Sequence, residues 1–465
     1  MTALRKRQVI ASLGQPKVAV MLALGFSSGL PFFLSGNTLG YWLREEGTTL
    51  QAIGFLSWVG LAYSLKFLWA PVVDRLDAPV FSRFGRRRSW MLLTQCAVAA
   101  GLVGLSLTGP AHGLTIVGAF AVLVAFASST QDIVIDAWRI EAASDSDELG
   151  LLSAAYQLGY RAAIIVTDAL ILISASHLGW RVSYSMMGVL MGVGVFASFA
   201  AIEPRHIEPG GSVPAGSRAA GAVGNEAARE AKRPAGLGTP RDFVDAVVGP
   251  FTEFFRAHGW TAVLMLATIS LYRLPEYLMG PMANPFYHDL GLSKDTVGAV
   301  RASVGLVGSL LGIAAGGLSA VRFGYFRTLV LGLLMQSVVI ASFAVLAYTG
   351  PDIRVFGTVM VADNFGAAFA GVALVTYMSS LTGVGYTATQ YALLSSAYAY
   401  VGKFAKGFSG VMVESLAHGR TLLEGYARFF IAAGLLGIPA LVLCLLLARA
   451  ERSRGVSAAS QAPGA

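Results

Sequence analysis

Long apolar runs, separated by short polar segments, follow one another along most of this 465-residue chain. A run of about 20 apolar residues is long enough to cross a hydrocarbon core of about 30 Å as a helix. The pattern therefore predicts an all-α membrane protein with twelve transmembrane helices. Their predicted bounds are 18–42, 50–71, 89–109, 114–138, 149–174, 180–201, 260–284, 293–320, 325–348, 353–380, 386–413 and 425–448.

The apolar pattern lapses once, between the sixth and seventh predicted helices. Residues 209–238 are rich in Ala, Gly, Pro and Ser and too poor in large apolar residues to fold alone. Apolar residues then recur at helical spacing from Phe243 to Phe255, which predicts an amphipathic helix on the membrane surface. The predicted domains are an N-terminal six-helix bundle (1–202), a cytoplasmic linker with this helix (203–258), a C-terminal six-helix bundle (259–450) and a disordered cytoplasmic tail (451–465).

Two short sequence matches relate the two halves. Residues 30–36 match residues 274–280, and residues 151–156 match residues 393–398, at offsets of 244 and 242 residues. Two matches at nearly one offset indicate two pseudo-symmetric, parallel six-helix bundles. This arrangement resembles the major facilitator fold, in which the substrate site is expected between the halves near the membrane midplane.

Composition and charge distribution support a membrane location and argue against nucleic-acid binding. Only 13% of residues are charged, against about 25% in soluble proteins. Of the 34 Lys and Arg residues, 22 lie on the predicted side of the termini and 6 on the other side, so both termini are expected in the cytoplasm. The net charge of +8 therefore does not indicate nucleic-acid binding. Cys96 and Cys444 lie in separate predicted helices and indicate neither a disulfide framework nor a metal site.

Twelve charged residues lie within the predicted spans. An ionised side chain at the bilayer centre costs about 2.5–3.5 kcal/mol on insertion scales, so such residues face a wet cavity or pair with one another. We expect them to converge on one wet chamber between the halves; structural pairing is the alternative. The six cations are Lys66, Arg161, Arg273, Arg301, Lys403 and Lys406, and the six anions are Asp132, Asp136, Asp168, Glu276, Asp363 and Glu414.

Arg161 and Lys403 occupy equivalent positions in the two repeats. Two facing cations repel each other when the site is empty, so we expect an anionic ligand between them, bound by the guanidinium and the ammonium group. The six cations are thus candidate substrate-binding residues, and nearby polar and aromatic side chains fit a bulky ligand with sugar or peptide parts. These further candidates are Asn37, Tyr63, Gln131, Gln157, Tyr160, Asn364 and Gln390.

The energy source is expected to be a proton gradient. The chain has no G-x-x-x-x-G-K-[ST] motif, so ATP is not expected to drive transport, and no cofactor is expected. Asp132, Glu276 and Asp363 are the candidate proton carriers. All six histidines fall in predicted loops, and no catalytic constellation can be assembled, so an enzyme is not expected.

Several motifs together resemble the AmpG-type muropeptide permeases of bacteria, which are related to acetyl-CoA transporters. The most specific is the run Gln-Asp-Ile-Val-x-Asp-Ala-Trp at 131–138; Arg273 and Glu276 stand where the family pattern has a Lys and an Asp. The other matching stretches are 29–31, 53–55, 66–71, 74–75, 85–88, 129–130, 158–161 and 389–395.

The resemblance implies a proton-coupled importer of anhydro-muropeptides that works by alternating access in the bacterial inner membrane. The family serves peptidoglycan recycling, and its products induce β-lactamase. A monomer in a lipid bilayer is expected. Alternatives are another anionic solute, such as acetyl-CoA or a sugar phosphate, and a sensor or lipid scramblase that transports nothing. The candidate gating residues on the cytoplasmic side are Asp74, Arg75, Arg86, Arg87, Arg88, Asp136 and Arg139.

Overall fold

The computed structural model describes residues 15–144, 146–203, 255–256, 259–380 and 399–460 of the chain. Within these ranges the protein is helical and contains no strand. Eight helical segments of this part are long and apolar enough to cross a membrane, and one of them, Leu151–Ala200, combines two predicted spans. The predicted linker and amphipathic helix lie almost wholly outside the described residues.

The N-terminal bundle follows the first six predicted spans. Its helices are α1 (Pro16–Leu34 and Asn37–Glu45), α2 (Leu50–Leu56, Ala62–Leu65 and Ala70–Arg75), α3 (Arg86–Thr108), α4 (Leu114–Ala142), α5 (Ser146–Ile164 and the π turn Ile165–Leu170) and α6 (ending with Gly192–Ala200). The helical stretch Ile171–Leu190 turns at Gly179, whose φ of 79° suits a residue without Cβ. Residues before this turn therefore extend α5, and residues after it begin α6.

The described part of the C-terminal bundle follows the remaining spans; residues 386–398 of the predicted eleventh span lie outside the described residues. Its helices are α7 (Thr261–Tyr272 and Leu274–Asp289), α8 (Lys294–Val300, the π turn Arg301–Gly305 and Leu306–Phe323), α9 (Tyr325–Thr349), α10 (Ile353–Ser380), α11 (399–405, Lys406–Phe408 and Ser409–Leu416) and α12 (Leu422–Leu435 and Gly437–Ser460). The last helix thus continues through 451–460, where a disordered tail is predicted. Alanine, arginine and glutamate in this stretch have high helix propensity and extend the helix.

Several membrane helices are interrupted inside their spans. The first helix breaks at residues 35–36, and α7 breaks at Arg273, just before Pro275. In α2 the 3₁₀ turns Ser57–Leu61 and Lys66–Leu68 replace α-helical turns. Irregular backbone at membrane depth is tolerated where it is buried in protein or lines a cavity, so these breaks mark the region between the bundles.

Glycines allow helices within each half to pack closely. A Cβ added to Gly25 on α1 would lie 2.2 Å from the carbonyl oxygen of Tyr156 on α5, and one added to Gly312 on α8 would lie 2.3 Å from that of Phe365 on α10. Small residues at such crossings let the backbones approach and gain van der Waals contact in lipid.

The two bundles meet mainly on one side of the molecule. We call this the gate side, opposite the terminal side on which α1 begins and α12 ends. There α1 packs on α7, α2 on α11, and α5 on α8. All three contacts involve the gate-side portions of these helices, so the described residues close the molecule on that side.

Candidate functional site

Asp132 on α4 is at the centre of a charged cluster between the bundles. Lys66 on α2, Asp136 one turn along α4, Lys403 on α11 and Ser28 on α1 surround its carboxylate. Its Oδ1 atom is buried and has no hydrogen-bond partner among the described residues. A buried carboxylate that is incompletely bonded and close to two lysines can exchange a proton or a cationic partner.

Lys403 and Lys406 bring positive charge from α11 into this cluster. The Nζ atom of Lys403 lies 5.8 Å from the ring centroid of Tyr63, within cation–π range. Lys406 extends to α2, where its Nζ atom would lie 3.0 Å from a Cβ added to Gly60. Neither lysine forms an ion pair within the described ranges, so both can receive an anion.

Aromatic side chains connect α5 to these lysines. Phe32 on α1 contacts Tyr63 on α2 and Tyr160 on α5, with ring centroids 5.7 and 6.5 Å apart. Arg161 is next to Tyr160 and is exposed. The contacts from Tyr160 through Phe32 and Tyr63 to Lys403 cross from one bundle to the other. That Arg161 and Lys403 share one chamber stays a prediction.

Other predicted binding residues have partners already. Gln131 donates a hydrogen bond of 2.9 Å from Nε2 to the hydroxyl of Ser27 on α1. Asn364 donates to the carbonyl of Met360 at 2.9 Å and accepts from Ser309 at 3.1 Å. Gln157 is exposed, Asn37 is half-buried, and Gln390 lies outside the described residues.

Six of the twelve charges form ion pairs within the described residues, as the pairing alternative predicts: Lys66 with Asp136, Arg273 with Glu276, and Arg301 with Asp168. Asp136 forms an ion pair of 3.1 Å with Arg139 and lies 3.9 Å from Lys66. Arg273 pairs with Glu276 on α7, with 2.7 Å between Nε and Oε2. Together with Gln336 on α9, which donates to the same carboxylate at 2.6 Å, this pair joins helices within the C-terminal bundle.

Arg301 connects the two bundles on the gate side and does not lie free in the chamber. Its Nη1 atom is 2.8 Å from Asp168 Oδ1 on α5, and its Nη2 atom donates to Asn284 Oδ1 on α7 at 2.7 Å. Asp168 and Arg301 both lie in π turns, and these turns pack on each other. The expectation that all twelve charges converge on one chamber is therefore wrong for this pair.

Three further residue pairs close the gate side, and sequence reasoning missed them. Arg44 on α1 lies 2.8 Å from Asp289 on α7, and Lys294 on α8 lies 2.9 Å from Glu45 on α1. His177 on α5 lies 3.5 Å from Asp295 on α8. The sequence did contain a signal for these pairs. Charged residues lie at the end of α1, and residues of the opposite sign lie at the end of α7 and the start of α8.

The contacts described for Arg86, Arg87 and Arg88 of the candidate cytoplasmic gate lie within the N-terminal bundle. Arg86 and Arg87 pair with Glu141 at the end of α4, at 3.8 and 2.5 Å. Arg88 donates to the carbonyl oxygens of residues 198 and 199 on α6, at 3.0 and 2.7 Å. Side-chain positions of Asp74 and Arg75 lie outside what the structure describes. A gating role for these residues stays a prediction.

The fold and sequence define the class of protein. A family model described as the Major Facilitator Superfamily matches residues 21–405, and the chain belongs to this superfamily. Among solved structures, a bacterial homologue of the human lysosomal transporter Spinster, inward-facing and unoccupied, matches with a TM-score of 0.65 at 16% identity, covering 94% of this chain and 98% of that one. A peptide transporter, POT, in complex with sulfate matches with a TM-score of 0.65 at 15% identity, covering 96% and 98%.

Two relatives show which transporters within the superfamily this chain is similar to. The chain is 31% identical over 442 residues to the anhydromuropeptide permease of Escherichia coli (strain K12), covering 94% of this chain and 81% of the relative. It is 29% identical over 426 residues to the putative transporter AmpG 4 of Rickettsia conorii, covering 91% and 94%. The chain is thus a homologue of the anhydromuropeptide permeases, which confirms the resemblance inferred from its motifs. Its fold and relatives are those of transporters, not enzymes.

Proposed function

We propose that this protein imports anhydro-muropeptides, the disaccharide-peptide fragments of peptidoglycan, from periplasm to cytoplasm across the bacterial inner membrane, with protons and as a monomer. The observation that carries the proposal is the cluster of Lys66 and Lys403 around Asp132, with Lys406 beside Lys403. It lies between the bundles of a chain that is homologous over 94% of its length to the E. coli anhydromuropeptide permease.

The cluster suits a peptide-bearing sugar for chemical reasons. Peptide carboxylates can accept charge-assisted hydrogen bonds from Lys403 and Lys406, whose ammonium groups have no ion pair within the described ranges. Tyr63, Tyr160 and Phe32 provide flat apolar faces beside hydroxyl groups, against which sugar rings can pack. Arg161 adds an exposed guanidinium that can bind a second carboxylate in bidentate fashion.

Alternating access follows from the position of the gate. With the termini in the cytoplasm, the closed gate side faces the periplasm, so the structure corresponds to a state that releases substrate inward. Opening the gate requires Arg44, Lys294 and Arg301 to leave Asp289, Glu45 and Asp168. Rocking of one bundle against the other would expose the lysine cluster to the periplasm.

The experiment is uptake of labelled anhydro-disaccharide-peptide into proteoliposomes with an inward proton gradient. Lys403→Gln should lower uptake at least tenfold, because a hydrogen bond to a charged group contributes about 1.5–3 kcal/mol and 1.4 kcal/mol is a factor of ten. Arg420→Gln, which removes an exposed cation on the gate side, is the matched control and should retain uptake. Normal uptake by correctly folded Lys403→Gln protein would refute the binding role.

A second candidate substrate class is a phosphorylated solute such as acetyl-CoA or a sugar phosphate. The observation in its favour is that unpaired lysines bind phosphate as readily as carboxylate. Competition decides between the classes: excess unlabelled acetyl-CoA or sugar phosphate should leave muropeptide uptake unchanged. If either abolishes uptake while excess muropeptide does not, the phosphorylated solute is the substrate.

A further inference from the structure

An apolar groove of about 680 Å³ runs between α9 and α10 on the surface of the C-terminal bundle. Its walls include Leu334 and Val338 on α9, which are 42% and 68% exposed, and Ala362 and Phe365 on α10. A second, overlapping groove continues it toward the gate side and ends at Arg354. The polar side chains that line the two grooves are few, and most of the surface is aliphatic.

Arg354 is a cation at the mouth of this groove. Its side chain is exposed and forms no ion pair within the described ranges. The nearest carboxylate in sequence, Asp352, is used to cap α10: its Oδ1 atom accepts hydrogen bonds from the backbone N–H groups of Arg354 and Val355 at 2.7 and 3.3 Å. The guanidinium is therefore available to an anion outside the chain.

The length of the groove matches one leaflet of a bilayer. Arg354 and Phe365 are eleven residues apart on one helix, which corresponds to about 16 Å at 1.5 Å per residue. The hydrocarbon core of a bilayer is about 30 Å thick, so the groove extends from the headgroup level on the gate side to about the midplane. An acyl chain of one leaflet spans the same depth.

We infer that this groove binds a phospholipid of the gate-side leaflet, with one acyl chain between α9 and α10 and the phosphate on Arg354. The apolar walls accept the chain, and the planar guanidinium provides bidentate contacts to phosphate oxygens. The cation at headgroup level and the depth of one leaflet favour a lipid over a second copy of the protein, and the test below distinguishes the two. The lipid lies against α10, the helix that also carries Asp363.

The test uses the full-length protein in nanodiscs of phosphatidylglycerol that contain a trace of the same lipid with a diazirine in its acyl chain. After illumination, mass spectrometry should locate labelled peptides at the groove residues Val338, Val339 and Ala362. Arg354→Gln should lower this labelling at least threefold, and the matched Arg420→Gln should not. Ala362→Trp, which fills the groove and keeps Arg354, should lower it as well.

Two outcomes would overturn the inference. Labelling spread evenly over exposed apolar residues, such as Phe196 on α6 at 77% exposure, indicates ordinary lipid contact only. Light-induced dimers joined through α9 or α10 indicate that a second copy covers the groove. Because the readout is lipid labelling and not uptake, its result is independent of the proposed transport function.

Discussion

Asp132 and Asp363 differ from the other intramembrane carboxylates. They lie in opposite bundles and form no ion pair within the described ranges, whereas Asp168 and Glu276 each face an arginine. Glu414 accepts a hydrogen bond from the backbone N–H of Gln51 at 3.1 Å. A carboxylate without a fixed counter-ion can bind and release a proton at the smallest rearrangement cost, so we propose Asp132 and Asp363, rather than Glu276, as the proton carriers.

We expect Asp132→Asn to uncouple transport from the proton gradient. The amide keeps the size and much of the polarity of the side chain but cannot release a proton. Gradient-driven accumulation of labelled substrate in proteoliposomes should therefore fall to the level without a gradient, while exchange of external for internal substrate continues. Asp363→Asn tests the second carboxylate in the same assay. The exposed Asp77→Asn serves as the control, and full accumulation by Asp132→Asn would exclude Asp132 as the carrier.

Glu148, at the terminal side of α5, links protonation to stability outside the membrane spans. The backbone N–H of Ser144 and, less strongly, the ammonium group of Lys17 lower the pKa of the Glu148 carboxyl, at contact distances of 2.6 and 3.0 Å. Because the folded pKa is below the unfolded one, ionised Glu148 stabilises the protein fully above the unfolded pKa. This contribution is lost as the pH falls through the folded pKa.

Glu148→Gln should therefore reduce the amount of stability that the protein loses as the pH falls, because the variant lacks this contribution at every pH. At neutral pH the unfolding temperature of the variant in detergent should be lower than that of wild type by about 1–3 °C, a small effect because the Glu148–Lys17 pair is near the surface. The difference should vanish once the pH is below the folded pKa. Asp77→Asn should leave the pH profile unchanged, and parallel profiles for wild type and Glu148→Gln at all pH values would contradict the assignment.

At the scale of helices, the π turns of α5 and α8 hold the gate side closed. One extra residue in each turn rotates the following side chains, and π turns are frequent at functional sites for this reason. Here they place Asp168 against Arg301 across the bundle interface. Helix periodicity alone cannot predict that contact, because it assumes an uninterrupted repeat of 3.6 residues.

Helices α2 and α11 approach each other closely at Gly410. A Cβ added there would lie 1.8 Å from the carbonyl oxygen of Leu50, so Gly410→Ala forces the two helices apart on the gate side. Overpacking costs about 1–3 kcal/mol, which corresponds to a shift of the equilibrium toward the open gate by about 5- to 150-fold. Electron–electron distance measurements between spin labels on α2 and α11 should show a larger open population.

The control for this helix contact is Gly317→Ala on α8, which has nothing within 4 Å of the added Cβ. It should leave the distance distribution unchanged. If Gly410→Ala gives the wild-type distribution while remaining folded, the gate-side contact of α2 and α11 does not limit opening.

Element positions were largely predictable, and their interruptions were not. Within the described residues the apolar runs locate α1 to α12, because span length is set by the thickness of the hydrocarbon core. The break at residues 35–36 and the 3₁₀ turns of α2 depend on packing between bundles, which hydropathy does not report. The extension of α12 to Ser460 was also not predicted, because the polar composition of this stretch was interpreted as disorder and its helix propensity was not considered.

For the whole molecule, the sequence identified which charges lie in the membrane. It did not show which of them pair with one another and which face the chamber. Whether Arg301 faces the chamber or Asp168 depends on the rotation of α8 against α5, which only the assembled bundles fix. Arg44 and Lys294 looked like ordinary charges at helix ends, yet the assembled fold places them on Asp289 and Glu45 of the opposite bundle. The contacts between the two bundles are therefore the part of the site that could not be predicted from a single sequence.

Transport by alternating access requires that the gate side open during each cycle. Ser176 on α5 and Asp295 on α8 lie in opposite bundles, with 2.9 Å between the hydroxyl and Oδ2. In a background in which Cys96 and Cys444 are replaced, Ser176→Cys with Asp295→Cys can be joined by a short, reducible bifunctional thiol reagent. This link should abolish uptake into proteoliposomes, because the bundles can no longer separate, and reduction should restore it.

The matched pair for this experiment lies within one bundle. Ser106 on α3 and Ser185 on α6 have hydroxyl oxygens 2.6 Å apart, so Ser106→Cys with Ser185→Cys can receive the same link without joining the halves. Uptake should persist after that link forms, since rigid-body rocking leaves contacts within a bundle intact. If linked Ser176→Cys, Asp295→Cys protein also transports, substrate does not pass through the gate side, and movement of one bundle against the other is not the mechanism.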